Sequence, residues 1–180
     1  MGANEATPVS KTRMNTPAHN DVVDWHLVSD RRFEDIEELN NLVQGWDFEF
    51  HQLKAGRSPA KLLQLGRPEF MLSRFYFEQP YHQRGCTAQD ALTIGLTAEG
   101  VEEVTTPNGA VKQDDILCFP AGRELSAVSR PRFTGYSLSI SNTLLAEVSE
   151  SCGLQVCTSI GTVQQVRHCG PVNMNTLRRE

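Results

Sequence analysis

The chain has 180 residues, of which 17 are basic and 22 acidic, for a formal net charge of −5. This describes one domain of ordinary size, long enough to bury a core without disulfides or a structural metal, and its acidity argues against a general nucleic-acid binder. Five cysteines, an odd number with no C-x-x-C spacing, argue against a disulfide or zinc framework. Neither a signal peptide nor an apolar run of about 18 residues is visible, so a cytoplasmic, bacterial-type setting is expected, with no membrane contact.

Residues 1–28 are rich in Asn, Thr, Ser and Pro and read as a polar flexible arm, with Val22 to Val28 able to add an extended segment. Asp30 to Gly45 predicts a helix: Phe33, Ile36, Leu39, Leu42 and Val43 form one stripe of a 3.6-residue period, with Asp30 as N-cap and Gly45 as stop. From Trp46 the period becomes two, and Phe48, Phe50 and Gln52 alternate with Asp47, Glu49 and His51. A short strand over Lys61 to Leu65 and a turn at Gly66-Arg67-Pro68 follow. A long strand then runs from Glu69 to Glu78, with Met71, Ser73, Phe75 and Phe77 on one face and Phe70, Leu72, Arg74 and Tyr76 on the other.

A loop rich in Gln, Pro and Gly is expected next, then a strand over Ala91 to Ala98 and a hairpin around Pro107-Asn108-Gly109. Asp114-Asp115 reads as a turn, Ile116 to Phe119 as a short core strand, and Pro120-Ala121-Gly122 as a second tight turn. Strands over Glu124 to Ser129 and Arg132 to Ile140 complete roughly eight or nine, which predicts a sandwich or barrel. Beyond Ile140 the pattern turns helical, with Ser141 as cap, Leu144, Leu145 and Val148 on one face, and Gly153 as stop. Residues 141–180 are thus expected to be a helical dimerisation or linker segment following a barrel over 29–140. A last short helical stub after Gly170-Pro171 gives the chain a truncated look.

The strand followed by Pro120-Ala121-Gly122 resembles the second sequence motif of the cupin barrels. Metal-binding cupins carry a histidine three residues after that glycine, and here the position is Leu125. Where the first motif would place a histidine pair, the sequence reads Ala91, Leu92 and Thr93. The resemblance therefore implies a cupin-like, jelly-roll type barrel, mainly β with flanking α, without a metal site and without a cofactor. The five histidines are scattered, with no H-x-H or H-x-x-x-H pair. No nucleophile elbow or glycine-rich phosphate loop occurs, and the paired carboxylates lie at turns or on a solvent face, so no catalytic residue is assigned.

The arginines are the more informative charges. If Arg74 faced inward it would be a buried cation needing a partner; if outward, Met71, Phe75 and Phe77 would fill the core. Arg130-Pro131-Arg132 forms a turn with two guanidinium forks suited to phosphate. Arg74, Tyr76, His51, Arg123, Arg130 and Arg132 are the candidate ligand-binding residues, and Leu144, Leu145 and Val148 the candidate dimer stripe.

A broader resemblance spans roughly residues 33–170. The order of the short helix, Asp47 to Gly56, Phe70 to Phe75, Gln83-Arg-Gly85, Ile94-Gly-Leu96, Asp115 to Glu124, Tyr136 to Ile140 and the helix from Asn142 to Cys152 is similar to the N-terminal sensor domain of AraC/XylS-type transcription regulators. Its branch of ethanolamine-operon and quorum-sensing-linked regulators is the nearest in pattern. The resemblance implies a non-catalytic, effector-sensing or dimerising domain and a homodimer. Operator DNA would be bound only through a C-terminal pair of helix-turn-helix motifs, which would need about 100 more residues. The effector implied is either a neutral metabolite in the barrel or an anion such as a cyclic dinucleotide on the arginine-rich surface. The competing expectation is a metal-independent cupin-like isomerase or lyase using His51, Tyr76 or Arg74 inside the barrel.

Overall fold

Alternation of buried and exposed side chains, established for 26–34, 36–41, 47–67, 69–98, 104–154, 165–170 and 174 in a computed structural model, resolves the chain into two facing antiparallel sheets. The first strand, β1 (His26–Phe33), leads into a five-residue helix, α1 (Ile36–Asn40). Strands β2 (Asp47–Gln52), β3 (Ala60–Arg67), β4 (Phe70–Phe77), β5 (Tyr81–Cys86) and β6 (Ala91–Thr97) follow. The short pair β7 (Val104–Thr106) and β8 (Gly109–Val111) precedes β9 (Asp115–Phe119), β10 (Glu124–Val128) and β11 (Phe133–Ser141). The helix α2 (Asn142–Ser151) and a final strand, β12 (Gln165–His168), end the order. One sheet runs β1-β3-β4-β11-β6-β9-β12 and the other β2-β5-β10-β7-β8. This is a β-sandwich, mainly β with few helices, as the turn and strand spacing predict, and its cupin-like character is what the motif resemblance implies.

The core lies between the sheets. Phe77, 1% exposed, is its centre, with ring centroids of Phe50 at 5.5 Å, Tyr81 at 4.8 Å and Phe133 at 6.1 Å. Tyr81 is fully buried with its polar groups satisfied: its hydroxyl donates to the Ser58 carbonyl (3.1 Å) and pairs with the Ser58 hydroxyl, and its amide donates to Ser129 Oγ (3.0 Å). Such pairing is what makes burial of a phenol favourable. The turn at Pro120-Ala121-Gly122 is clasped to the loop after β5. Thr87 Oγ1 donates to Pro120 O (2.7 Å) and Gly122 N donates to Ala88 O (2.9 Å), with Gly122 at φ 63°.

Several expectations are corrected. The helix expected over Asp30 to Gly45 shrinks to α1, because Asp30 to Phe33 are drawn into β1, where Asp30 pairs with Leu63 and Phe33 with Ala60. Ladder bonds and the burial of Phe33 outweigh the local helical period. Leu42, Val43 and Gly45 lie outside the described residues. The strand begins at His26, inside the segment read as a flexible arm. The loop expected after Phe77 is strand β5, which pairs with both β2 and β10. The segment after α2, read as helical, contains β12 laid against β9. The terminal stub falls outside the described residues except for the buried Met174.

The first helix has a specific task. β2 is an edge strand, and Asn40 covers part of that edge: its Oδ1 accepts from Phe50 N at 2.7 Å. At α2 the expected caps are present. Ser141 Oγ accepts from Leu144 N (3.1 Å), and Gly153 at φ 64° closes the helix with Leu154 N donating to Ser149 O (2.8 Å).

Candidate functional site

The interior of the barrel is the first place where a ligand is expected. Its inward face is set by the pleat: Leu117 and Phe119 of β9, Leu125 and Ala127 of β10, and Phe133 of β11 all point between the sheets. The glycines of β6 and β11 make room for these rings. A Cβ on Gly135 would stand 2.6 Å from Phe133 Cζ, and one on Gly95 would stand 3.2 Å from the Phe119 ring. What remains is a cavity of about 80 Å³ whose polar lining comes from Gln83, Thr97 and Ser137. That is room for a few waters, well short of the roughly 300 Å³ at which metabolite pockets begin.

The positions at which the cupin resemblance would place metal ligands are buried. Leu125 is 3% exposed, Ala91 is 7% exposed, and Thr93 shares a hydrogen bond with Ser139 Oγ (2.9 Å). Among the described residues no group of three His, Cys, Asp or Glu side chains converges.

The outer face of the seven-stranded sheet is different. Arg74 points outward from β4, as does Tyr76 two residues on, and both are level with Lys61 and Leu63 on β3: Lys61 pairs with Tyr76 and Leu63 with Arg74. These four side chains line a groove of about 240 Å³. The Arg74 guanidinium lies over the Tyr136 ring, 5.9 Å from its centroid, because β11 places Tyr136 directly opposite Arg74. Lys61 Nζ lies 3.3 Å from Asp30 Oδ1. The Tyr76 hydroxyl donates to Glu78, which, with burial second, raises the phenol above the ordinary tyrosine range; Arg132 nearby acts in the opposite direction. Arg132 itself holds φ 56°, the one non-glycine residue at positive φ among the described residues, and its amide donates to Glu78 O (3.0 Å). A long side chain held in that region is strained and marks a position defined by its surroundings.

The structure thus gathers Arg74, Tyr76 and Arg132, and adds Lys61, Leu63, Glu78 and Tyr136. It does not bring in the other candidates. His51 is exposed on the outer face of the opposite sheet, with Glu49 at 3.4 Å and the His82 ring at 6.3 Å. Arg123 precedes β10, where its backbone is bonded to Thr87, while Arg130 follows β10 at the other end of that strand. Arg130 sits two residues before Arg132 in the same exposed turn. The expectation that His51, Tyr76 or Arg74 works inside the barrel is overturned: all three face away from it. On α2, Leu144 and Leu145 are half-buried and Val148 is 48% exposed.

No family profile matches the sequence, and no curated protein sequence matches it. Among solved structures, the fold is similar to that of the AraC-like transcriptional activator CuxR, with a TM-score of 0.54 and 12% identity over 84% of this chain and 58% of that one. Weaker superpositions reach an oxalate decarboxylase (TM-score 0.33, 12% identity, 71% of this chain and 42% of that one). A mutant of Bacillus subtilis oxalate decarboxylase OxdC follows (0.31, 13%, 71% and 38%). The chain spans less than two thirds of the activator's length. Within the described residues no helix is long and apolar enough to cross a membrane. The architecture is a β-sandwich similar in fold to an AraC-like activator.

Proposed function

We propose that this chain is the regulatory domain of an AraC-type transcription factor. It senses an effector or transmits a dimer state, carries no catalytic activity, and controls operator binding by helix-turn-helix motifs outside this sequence. The observation that carries the reading is the barrel interior. Ala91, Thr93 and Leu125, where the cupin resemblance would place metal ligands, are buried and carry no ligating group, and aromatic rings fill much of the space between the sheets. The likeness of fold to an AraC-like activator over most of the chain is consistent with it. Assignment to the ethanolamine-operon and quorum-sensing-linked branch rests on the order of the sequence motifs alone.

Dimerisation is assigned to α2. Leu144 and Val148 are one turn apart, and Val148 and Leu154 are exposed apolar residues at its C-terminal end. Light scattering is expected to give a dimer at tens of micromolar chain, and Val148→Asp to shift it towards monomer without loss of secondary structure. A strict monomer at every concentration would remove the dimer from the proposal. Stoichiometric Fe, Mn or Zn retained through purification would overturn the non-catalytic reading.

A further inference from the structure

We propose that the groove on the outer face of the seven-stranded sheet binds a small aromatic carboxylate, with its ring against Leu63 and Tyr76 and its carboxylate on Arg74. The groove offers about 240 Å³ on the side of the sheet where the cations are.

Each lining residue contributes one element of recognition. Arg74 is exposed, its guanidinium is oriented by the Tyr136 ring beneath it, and among the described residues no carboxylate reaches it. A planar fork held in this way matches a carboxylate in two-point geometry. Lys61 is engaged by Asp30 but has three donors, so it can reach an anion without leaving its partner. The Tyr76 hydroxyl is committed to Glu78, which leaves the ring face as what this residue presents. Leu63, half-buried and directly opposite Arg74, supplies apolar contact beside the charge.

The charges select the ligand class. Lys61 is balanced by Asp30, and Glu78 stands beyond Tyr76 with Arg132 beside it. Arg74 is the one lining cation with no acid against it, so the groove complements a single negative charge. A phosphate monoester would bring a second charge towards Asp30 and Glu78. Arg32, opposite Lys61 on β1, adds long-range attraction from the rim. An aliphatic acid such as acetate would leave the Leu63 and Tyr76 surfaces unused.

The site stands on this geometry; that its ligand is the domain's effector rests on the regulatory reading above. The test is calorimetric titration of the 180-residue chain with 2-naphthoate, alongside 2-naphthamide, acetate and 2-naphthyl phosphate. One naphthoate per chain is expected, with the amide and acetate each about tenfold weaker or worse, as loss of a charge-assisted contact or of the ring requires. Arg74→Gln, at an exposed position that leaves folding intact by circular dichroism, is expected to lose at least about tenfold. Ala127→Val, which fills the barrel interior, is expected to change nothing. Three results would overturn the site: unchanged affinity in Arg74→Gln, tighter binding of the phosphate, or no binding up to about 10 mM, beyond the millimolar range one ring and one ion pair supply. Binding that leaves the monomer–dimer equilibrium of the unsubstituted chain unchanged would keep the site and sink its role as effector.

Discussion

The buried carboxylate of Asp115 holds His168, 53 positions along the chain, with Nδ1 at 2.8 Å from Oδ1. Its other oxygen accepts from Lys112 N, also at 2.8 Å. One side chain therefore closes the turn before β9 and fastens β12 to the sheet edge. Asp115→Ala is expected to cost about 1–3 kcal/mol, two bonds at about 0.5–1.5 kcal/mol each whose exposed donors, His168 and Lys112, can turn to water. Hydrogen exchange at Val166 to His168 should accelerate well before exchange in β4 and β11. Uniform acceleration across both sheets would contradict a local latch.

Phe77→Ala removes the ring against which Phe50, Phe75, Tyr81 and Phe133 pack. A loss of about 3–5 kcal/mol is expected from denaturant unfolding, the range for an aromatic deleted from a core that cannot collapse around the void. A cost below about 1 kcal/mol, the level of a surface substitution, would mean that the two sheets are not packed through this ring.

Gly85→Ala and Gly122→Ala separate two uses of glycine. At Gly85 a Cβ would lie 2.0 Å from Asp47 O and 2.8 Å from Phe48 Cα, so β2 and β5 could not keep their register. At Gly122 the nearest atoms belong to the Gln89 side chain, which can turn away, and the remaining cost is that of φ 63°, about 1 kcal/mol. Thermal unfolding is expected to rank Gly85→Ala far below Gly122→Ala; equal midpoints would contradict the close approach of β2.

Tyr76 should ionise above the ordinary value of 10.0, first through its hydrogen bond to Glu78 and then through burial. A folded-state value above the unfolded one means that the native protein holds the proton more tightly. The stability this contributes is full below pH 10 and is lost as pH rises through the raised folded value. In absorbance titrations Glu78→Gln should move one tyrosine back towards the ordinary value, and Arg132→Gln should move it further up. Three tyrosines titrating together, unaffected by Glu78→Gln, would rule out the contact.

Much of the fold is visible in the local pattern. Alternation at Phe48 and Phe50 and along Phe70 to Phe77 separates the two faces of β2 and β4, because a half-buried strand has a period of two, but leaves open which face of β4 turns inward. Ser141 and Gly153 mark both ends of α2, because caps are short-range chemistry. The failures are those of residues whose state is decided by a distant partner. Asp30 to Phe33 look helical until β3 offers them a ladder, and Tyr81 to Cys86 look like a loop until β2 and β10 flank them. The groove was half legible: Arg74, Tyr76 and Arg132 stand out as charged or aromatic residues in a barrel, whereas Lys61, Leu63 and Tyr136 join them only through cross-strand register.

By itself the sequence determined the mainly β class of fold and the limits of α2, since each depends on residue type at short spacing. The tertiary structure alone decided that Arg74 faces outward over Tyr136, that the barrel is filled by its own aromatic rings, and that β12 returns to the sheet. Those outcomes depend on which strands become neighbours. That is settled by burying apolar area and satisfying backbone bonds across the whole chain, a balance that no local window contains.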